Sequence, residues 1–172
     1  MKKRLLAICL ALCLIVGLLP TAVLAAPEGG GTGLTADDPM VVPEEALTIS
    51  GTVLKGISQE WLNTNKPQDG STLYLKLEVS DSITELGDGY GGFCPQTGYN
   101  LQVDFSTANN LKKINNQAFM SATALNGVLD LSHTKITTIG KSAFSGCTGL
   151  TGVILPQTLE VLGTSNGSSG SV

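Results

Sequence analysis

The sequence predicts a short α/β solenoid, with a parallel sheet of about four to five strands laid down by successive copies of one unit and a strand-and-helix cap over its first edge. Three observations predict it. Five apolar positions recur 25 residues apart: Leu111, Ile114, Ala118, Phe119 and Leu125 return as Ile136, Ile139, Ala143, Phe144 and Leu150. Runs with a period of two recur as well, Leu75, Leu77 and Val79 matching Leu101, Val103 and Phe105, then Leu129 and Leu131, then Val153 and Leu155. Finally, 42% of residues are hydrophobic but only 5% aromatic, with 21 glycines, which suits a core of thin repeated layers better than one large centre.

In chain order, residues 1–25 read as a secretory signal peptide. Lys2, Lys3 and Arg4 precede an apolar run from Leu5 to Leu19, and Val23-Leu24-Ala25 offers a small-residue cleavage site. The alternative is an uncleaved membrane anchor, since the apolar run approaches a spanning length. A lipoprotein fits less well, because Ile8 and Leu12 stand before Cys9 and Cys13 where a small residue is expected. Residues 26–46 read as a flexible linker, rich in Gly, Pro and acids. Residues 47–72 read as the N-terminal cap: Leu47–Ser50 as a strand, then Val53, Leu54, Ile57, Trp61 and Leu62 at near-helical spacing. Trp61 is expected in the cap core.

The repeats occupy residues 73–163 and a Gly/Ser-rich tail follows over 164–172. Each unit is expected to hold a strand, a turn with two apolar residues three apart, and a short helical piece carrying Ala-Phe. The turn pairs are Ile83 and Leu86, Leu111 and Ile114, Ile136 and Ile139, and Leu159 and Leu162. Phe93, Phe119 and Phe144 are expected to stack as a ladder, each worth about 1.5–3 kcal/mol of burial. Spacings drift between units, which puts the insertions in loops.

The unit Ile136-Thr-Thr-Ile139-Gly140-Lys-Ser-Ala143-Phe144-Ser-Gly-Cys147-Thr-Gly-Leu150-Thr-Gly-Val153-Ile-Leu155-Pro156 resembles the BspA-like leucine-rich repeat. The preceding unit keeps Ile114, Ala118-Phe119 and Leu125 but has Asn115 for the glycine and Ser132 for the proline. The resemblance covers 73–163, most clearly from 101. It implies a curved, right-handed solenoid on a secreted or cell-surface bacterial protein of the adhesion type. Other leucine-rich repeats place an Asn after the strand to tie neighbouring loops; here Ala108, Thr134 and Thr158 stand there, so loop bonding must differ.

Charge narrows the partners. Net charge is −4, and without residues 1–25 seven lysines and no arginine face fourteen acids, a net of −7. Nucleic acid, which needs clustered Lys and Arg, is not an expected partner. Cofactors are not expected either: no P-loop or dinucleotide fingerprint occurs, and the Cys and His spacing suits no zinc site. His133 is the only histidine and has no nucleophile motif beside it, so no catalytic residue is assigned. Cys94 and Cys147, about two units apart, are expected to be unbonded, since strands two rungs apart are separated by roughly 9–10 Å. Asp81, Glu85 and Asp88 before a glycine turn offer oxygens of the kind calcium uses, although their spacing is not that of an EF-hand loop and a solvated acidic loop is the simpler reading. Leu155-Pro156-Gln157-Thr158 resembles a sortase signal but lacks the glycine and the apolar tail.

A surface remains. The strand residues pointing away from the core, Lys76, Glu78, Gln102, Asp104, Asp130 and Ile154, are expected to line the concave side where solenoids bind. The function this supports is a secreted, non-enzymatic module that binds an extracellular protein or glycan. The alternative is a repeat spacer of a larger secreted protein whose active domain lies elsewhere. The last strand has no neighbour in sequence, so self-association through the C-terminal edge is also expected.

Overall fold

The computed structural model describes residues 31–89, 93, 97–165 and 168–169. The signal peptide reading and Cys94 lie outside them. The chain winds so that equivalent strands lie side by side and in parallel. On one face run β1 (Met40–Val41), β4 (Leu73–Glu78) and β6 (Tyr99–Asp104), then β8 (Gly127–Asp130) and β10 (Leu150–Ile154). The second face is a six-stranded sheet. It starts with an antiparallel hairpin, β2 (Leu47–Ser50) and β3 (Val53–Ile57), and continues in parallel through the two-residue strands β5 (Glu85–Leu86), β7 (Lys113–Ile114), β9 (Thr138–Ile139) and β11 (Val161–Leu162). These short strands contain the second apolar residue of each turn pair. The turns expected from the sequence are therefore a hydrogen-bonded sheet in their own right.

The core is the alternation made solid. Leu75, Leu77, Val79, Leu101, Phe105, Leu129 and Leu131 are buried from the first face, and Leu86, Ile114 and Ile139 from the second. Between the faces the aromatic ladder forms as expected: Phe93 and Phe119 ring centres lie 4.6 Å apart, Phe119 and Phe144 5.5 Å apart and nearly parallel.

The Ala-Phe segments are turns rather than helical pieces. Gln117 and Ser142 take φ of 56° and 55°, and Ser121 and Gly146 take 60° and 79°, left-handed values that no α-helix tolerates in series. The reason lies in the bonding. Alternate N–H groups donate across to the next coil, Gln117 to Lys141, Phe119 to Ala143 and Ser121 to Ser145 at 2.7–2.9 Å, while Ala118, Met120 and Ala122 bond within their own turn. A helix would spend all of these donors internally. Stacking wins because each coil offers carbonyls in register with the donors of the one before.

Two expectations at the N-terminus are corrected. The region 26–46 is not simply a linker, because Met40–Val41 pairs in parallel with Leu75–Lys76, and Met40, Val42 and Ala46 are buried. The cap is a hairpin followed by a helix, α1 (Gln59–Asn65), and Val53–Ile57 is strand despite its helical spacing. Ser58 caps α1 by accepting from the Trp61 N–H, Leu62 is buried beneath it, and half-buried Trp61 packs on the core as expected. Among the described residues no helix is long and apolar enough to cross a membrane.

Loop bonding differs from the Asn pattern, as expected. Thr107 and Asn110 donate side-chain bonds to the carbonyls of Val79 and Asp81 one coil back, and Thr158 does the same to Ile136. Asn115, standing where the other coils have Gly87, Gly140 and Gly163, donates 2.8 Å to the Gly87 carbonyl. Gly87 itself has no room for a side chain, since its φ is 76° and a Cβ would sit 2.5 Å from that of Ala118.

The last coil is only half covered. Phe144, Leu150, Val153 and Leu159 are partly buried, whereas Leu155 and Leu162 are exposed, which corrects the expectation that Val153 and Leu155 are both buried. Phe119→Ala should therefore destabilise by about 3–5 kcal/mol and Phe144→Ala by distinctly less, because cavity cost scales with the packing lost. Denaturant unfolding of both variants measures this; equal losses would mean that the terminal coil is as enclosed as the one before it.

Candidate binding face of the sheet

Parity sets this face. In β4 and β6 the residues between the buried leucines point outward, and the parallel register places Lys76 beside Gln102 and Glu78 beside Asp104. In β8 and β10 it places Asp130 beside Ile154. All six residues read from the sequence are therefore outward, and four of them, Lys76, Gln102, Asp104 and Asp130, line one pocket of about 350 Å³. Glu78 reaches this group through Lys76. Ile154 lies beyond Asp130, outside the pocket and nearly half exposed.

The pocket arises where the sheet divides. Strands β6 and β8 touch through a single bridge, Leu101 to Leu125, and no ladder joins them beyond it. That bridge has a register of 24 residues, whereas the inward residues Phe105 and Leu131 match at 26. The two extra residues are taken up near Asn126 and Gly127, whose φ of 81° is available at little cost only to glycine. Expansion at the start of a strand, rather than in a loop, splits the sheet, and Val103, Phe105 and Ser106 line the cleft. Val128 and His133 form its far wall.

Val128 is absent from the row read from the sequence, although the alternation that selects Asp130 selects it too. His133 was weighed only as a catalyst. Tyr74 and Asn100, paired in register next to Lys76 and Gln102, share the outward parity and are half-buried.

Lys76 organises the charge. Its Nζ lies 2.8 Å from Glu78 Oε1 and 3.0 Å from Asp104 Oδ2. The two carboxylates hold the ammonium, and its hydrogen bonds to Glu78 and then Asp104 raise its pKa above the ordinary 10.5. Asp104 also accepts a 2.9 Å bond from the Ser106 N–H, and Asp130 accepts the same bond from Ser132. The Ser106 backbone and hydroxyl, then Lys76, lower the Asp104 pKa from 3.8 to about 2. Ser132 lowers that of Asp130, with a smaller contribution from His133. One lysine against Glu78, Asp104 and Asp130 leaves the face with two negative charges in excess.

Other candidates do not assemble. Glu85 is used within the stack, accepting from Asn115 at 3.1 Å and lying 3.9 Å from Lys113, while Asp81 is exposed. Among the described residues no three His, Cys, Asp or Glu come together as a metal cage. Tyr90–Gly92, the glycine turn of that loop, lie outside the described residues. Cys147 is a free, half-buried thiol donating 2.9 Å to the Phe119 carbonyl, and burial pushes its pKa up, which fits a packed residue rather than a reactive one.

A pH dependence follows from Asp104. Its folded pKa is depressed, so its contribution to stability is present above the ordinary carboxylate value and disappears as pH falls from 3.8 towards about 2. Asp104→Asn should lower stability near neutrality, where that contribution is present, and flatten the acid limb, so that the two proteins converge as pH falls towards about 2. Unfolding midpoints of the two proteins between neutral and acid pH test it; identical acid limbs would remove Asp104 as the cause.

Nothing matches this chain among curated proteins, and nothing among solved structures. The family model for the BspA type leucine rich repeat region matches in six copies over residues 76–166, more than half of the chain. Those residues run from within β4 through β11 and include all six outward residues, and the chain belongs to the BspA type leucine rich repeat family.

Proposed function

We propose that the chain is a secreted, non-enzymatic recognition module at a bacterial surface, which binds an extracellular protein or glycan through the outward face of its first sheet. One observation carries this reading: the division between β6 and β8 turns a flat row of strand residues into a cleft lined by Lys76, Gln102, Asp104, Asp130 and His133. Its chemistry is that of a hydrogen-bonding, mildly acidic site. Asp104 and Asp130 are anchored by Ser106 and Ser132, so they present carboxylate oxygens in fixed positions. Gln102, two residues before Asp104 on the same strand, is exposed and supplies both a donor and an acceptor. Such a face suits a ligand with basic or hydroxyl groups. The leader-like residues 1–25 and the family's repeat architecture support export and a binding role.

The reading is tested on arrays of glycans and of extracellular matrix proteins. The wild-type chain should bind a defined subset, and the combined Gln102→Ala, Asp104→Ala and Asp130→Ala variant should lose at least roughly tenfold in affinity, about 1.4 kcal/mol. Retention of full binding by that variant, with its fold intact by circular dichroism, would place recognition elsewhere. Hydrolysis or modification of an array ligand would overturn the non-enzymatic reading.

A further inference from the structure

The two ends of the stack are built differently. At the N-terminal end the antiparallel strand β2 covers β3, and its outer residues Thr48 and Ser50 are polar and exposed. At the C-terminal end a small antiparallel hairpin, Thr164–Ser165 with Ser168–Ser169, follows, but it pairs with neither main sheet. Strands β10 and β11 are each the last of their sheets. Positions buried in the previous coil open here: Leu131 becomes Leu155 at 45% exposure, and Ile139 becomes Leu162 at 42%. With Ile154 and Val161, four of the large exposed apolar side chains gather on this one coil. The coil from Leu150 to Gly163 carries a single charge, Glu160, on a chain that is otherwise acidic.

We propose that this open end pairs with the same end of a second copy, giving a closed two-fold dimer. Continuity with the internal stacking argues for a coil of this same kind as the occupant, since Leu155 and Leu162 sit where successive coils already bury one another. In a second copy the opposite end ends in the hairpin on the second sheet and in the two-residue strand β1 on the first, with Met40, Val42 and Ala46 buried, so the coil with open apolar positions is again the last one. The apposed surfaces are therefore identical, which is the condition for an isologous interface. The edge of β10 carries both N–H and C=O groups, so it is self-complementary when set antiparallel to its own copy. The near absence of charge on the coil lets two acidic molecules approach at this end without local repulsion.

Sedimentation velocity across a concentration series decides it. The purified chain should pass from monomer to dimer and stop there. Ile154→Lys should raise the dissociation constant at least about tenfold, with an unchanged melting temperature in dilute solution where only monomer is present. Leu162→Lys, on the other sheet, provides an independent disruption should Ile154→Lys alter the fold. Leu34→Lys, at an apolar residue 63% exposed outside the terminal coil, should leave dimerisation intact. A wild-type chain that stays monomeric to roughly millimolar concentration would overturn the proposal, as would dimers that survive both lysine variants. Assemblies that keep growing beyond two would also overturn it, because an isologous contact closes.

Discussion

The register of one coil on the next is the constraint on which this structure depends. Donors of each coil meet acceptors of its neighbour on three sides: the first sheet, the second sheet, and the turns carrying Ala-Phe. Because a buried N–H without a partner is costly, a unit of this kind is stable only between two others. The side chains follow the same rule. Phe119 is enclosed because Phe93 and Phe144 lie on either side of it, whereas Phe144, with no further ring stacked on it among the described residues, is only partly buried.

The same stacking makes the outward face. Parallel pairing in register brings residues of different coils into rows, so Lys76 on one strand reaches Asp104 on the next and Glu78 on its own. The serine two residues after Asp104, and again after Asp130, ties each carboxylate to its own turn. These acids are thus held by the backbone first and by lysine second. The cleft exists because registry fails at one place, between β6 and β8, and a local fault in an otherwise regular stack produces the concavity that a flat sheet lacks.

Much of this was legible in the chain. The period of 25, the alternation from Leu75 to Val79 and the recurrence of Ala-Phe determined the solenoid, the aromatic ladder and the outward parity of Lys76, Gln102, Asp104 and Asp130. These are local signals, since one side chain in two must point inward wherever a strand has a buried face. The N-terminal cap was harder. Val53, Leu54 and Ile57 fit a helix by spacing, yet they pair with Leu47–Ser50 and with Glu85–Leu86, partners remote from any window in which a period is read. Met40 is similar: a Pro-rich, acidic context hides a strand that forms only because β4 offers an edge.

What the sequence by itself determined, then, is everything that follows from one unit resembling the next. Only the tertiary structure decided where that resemblance breaks. It showed the Ala-Phe segments to be turns, because their donors are claimed by another coil and not by their own. It placed the extra residues at the start of β8, opened the cleft, and brought His133 to its wall. It left Leu155 and Leu162 uncovered although their equivalents are buried. Repetition is written in the order of residues, while exposure depends on which neighbour occupies the next layer, and that is settled in three dimensions.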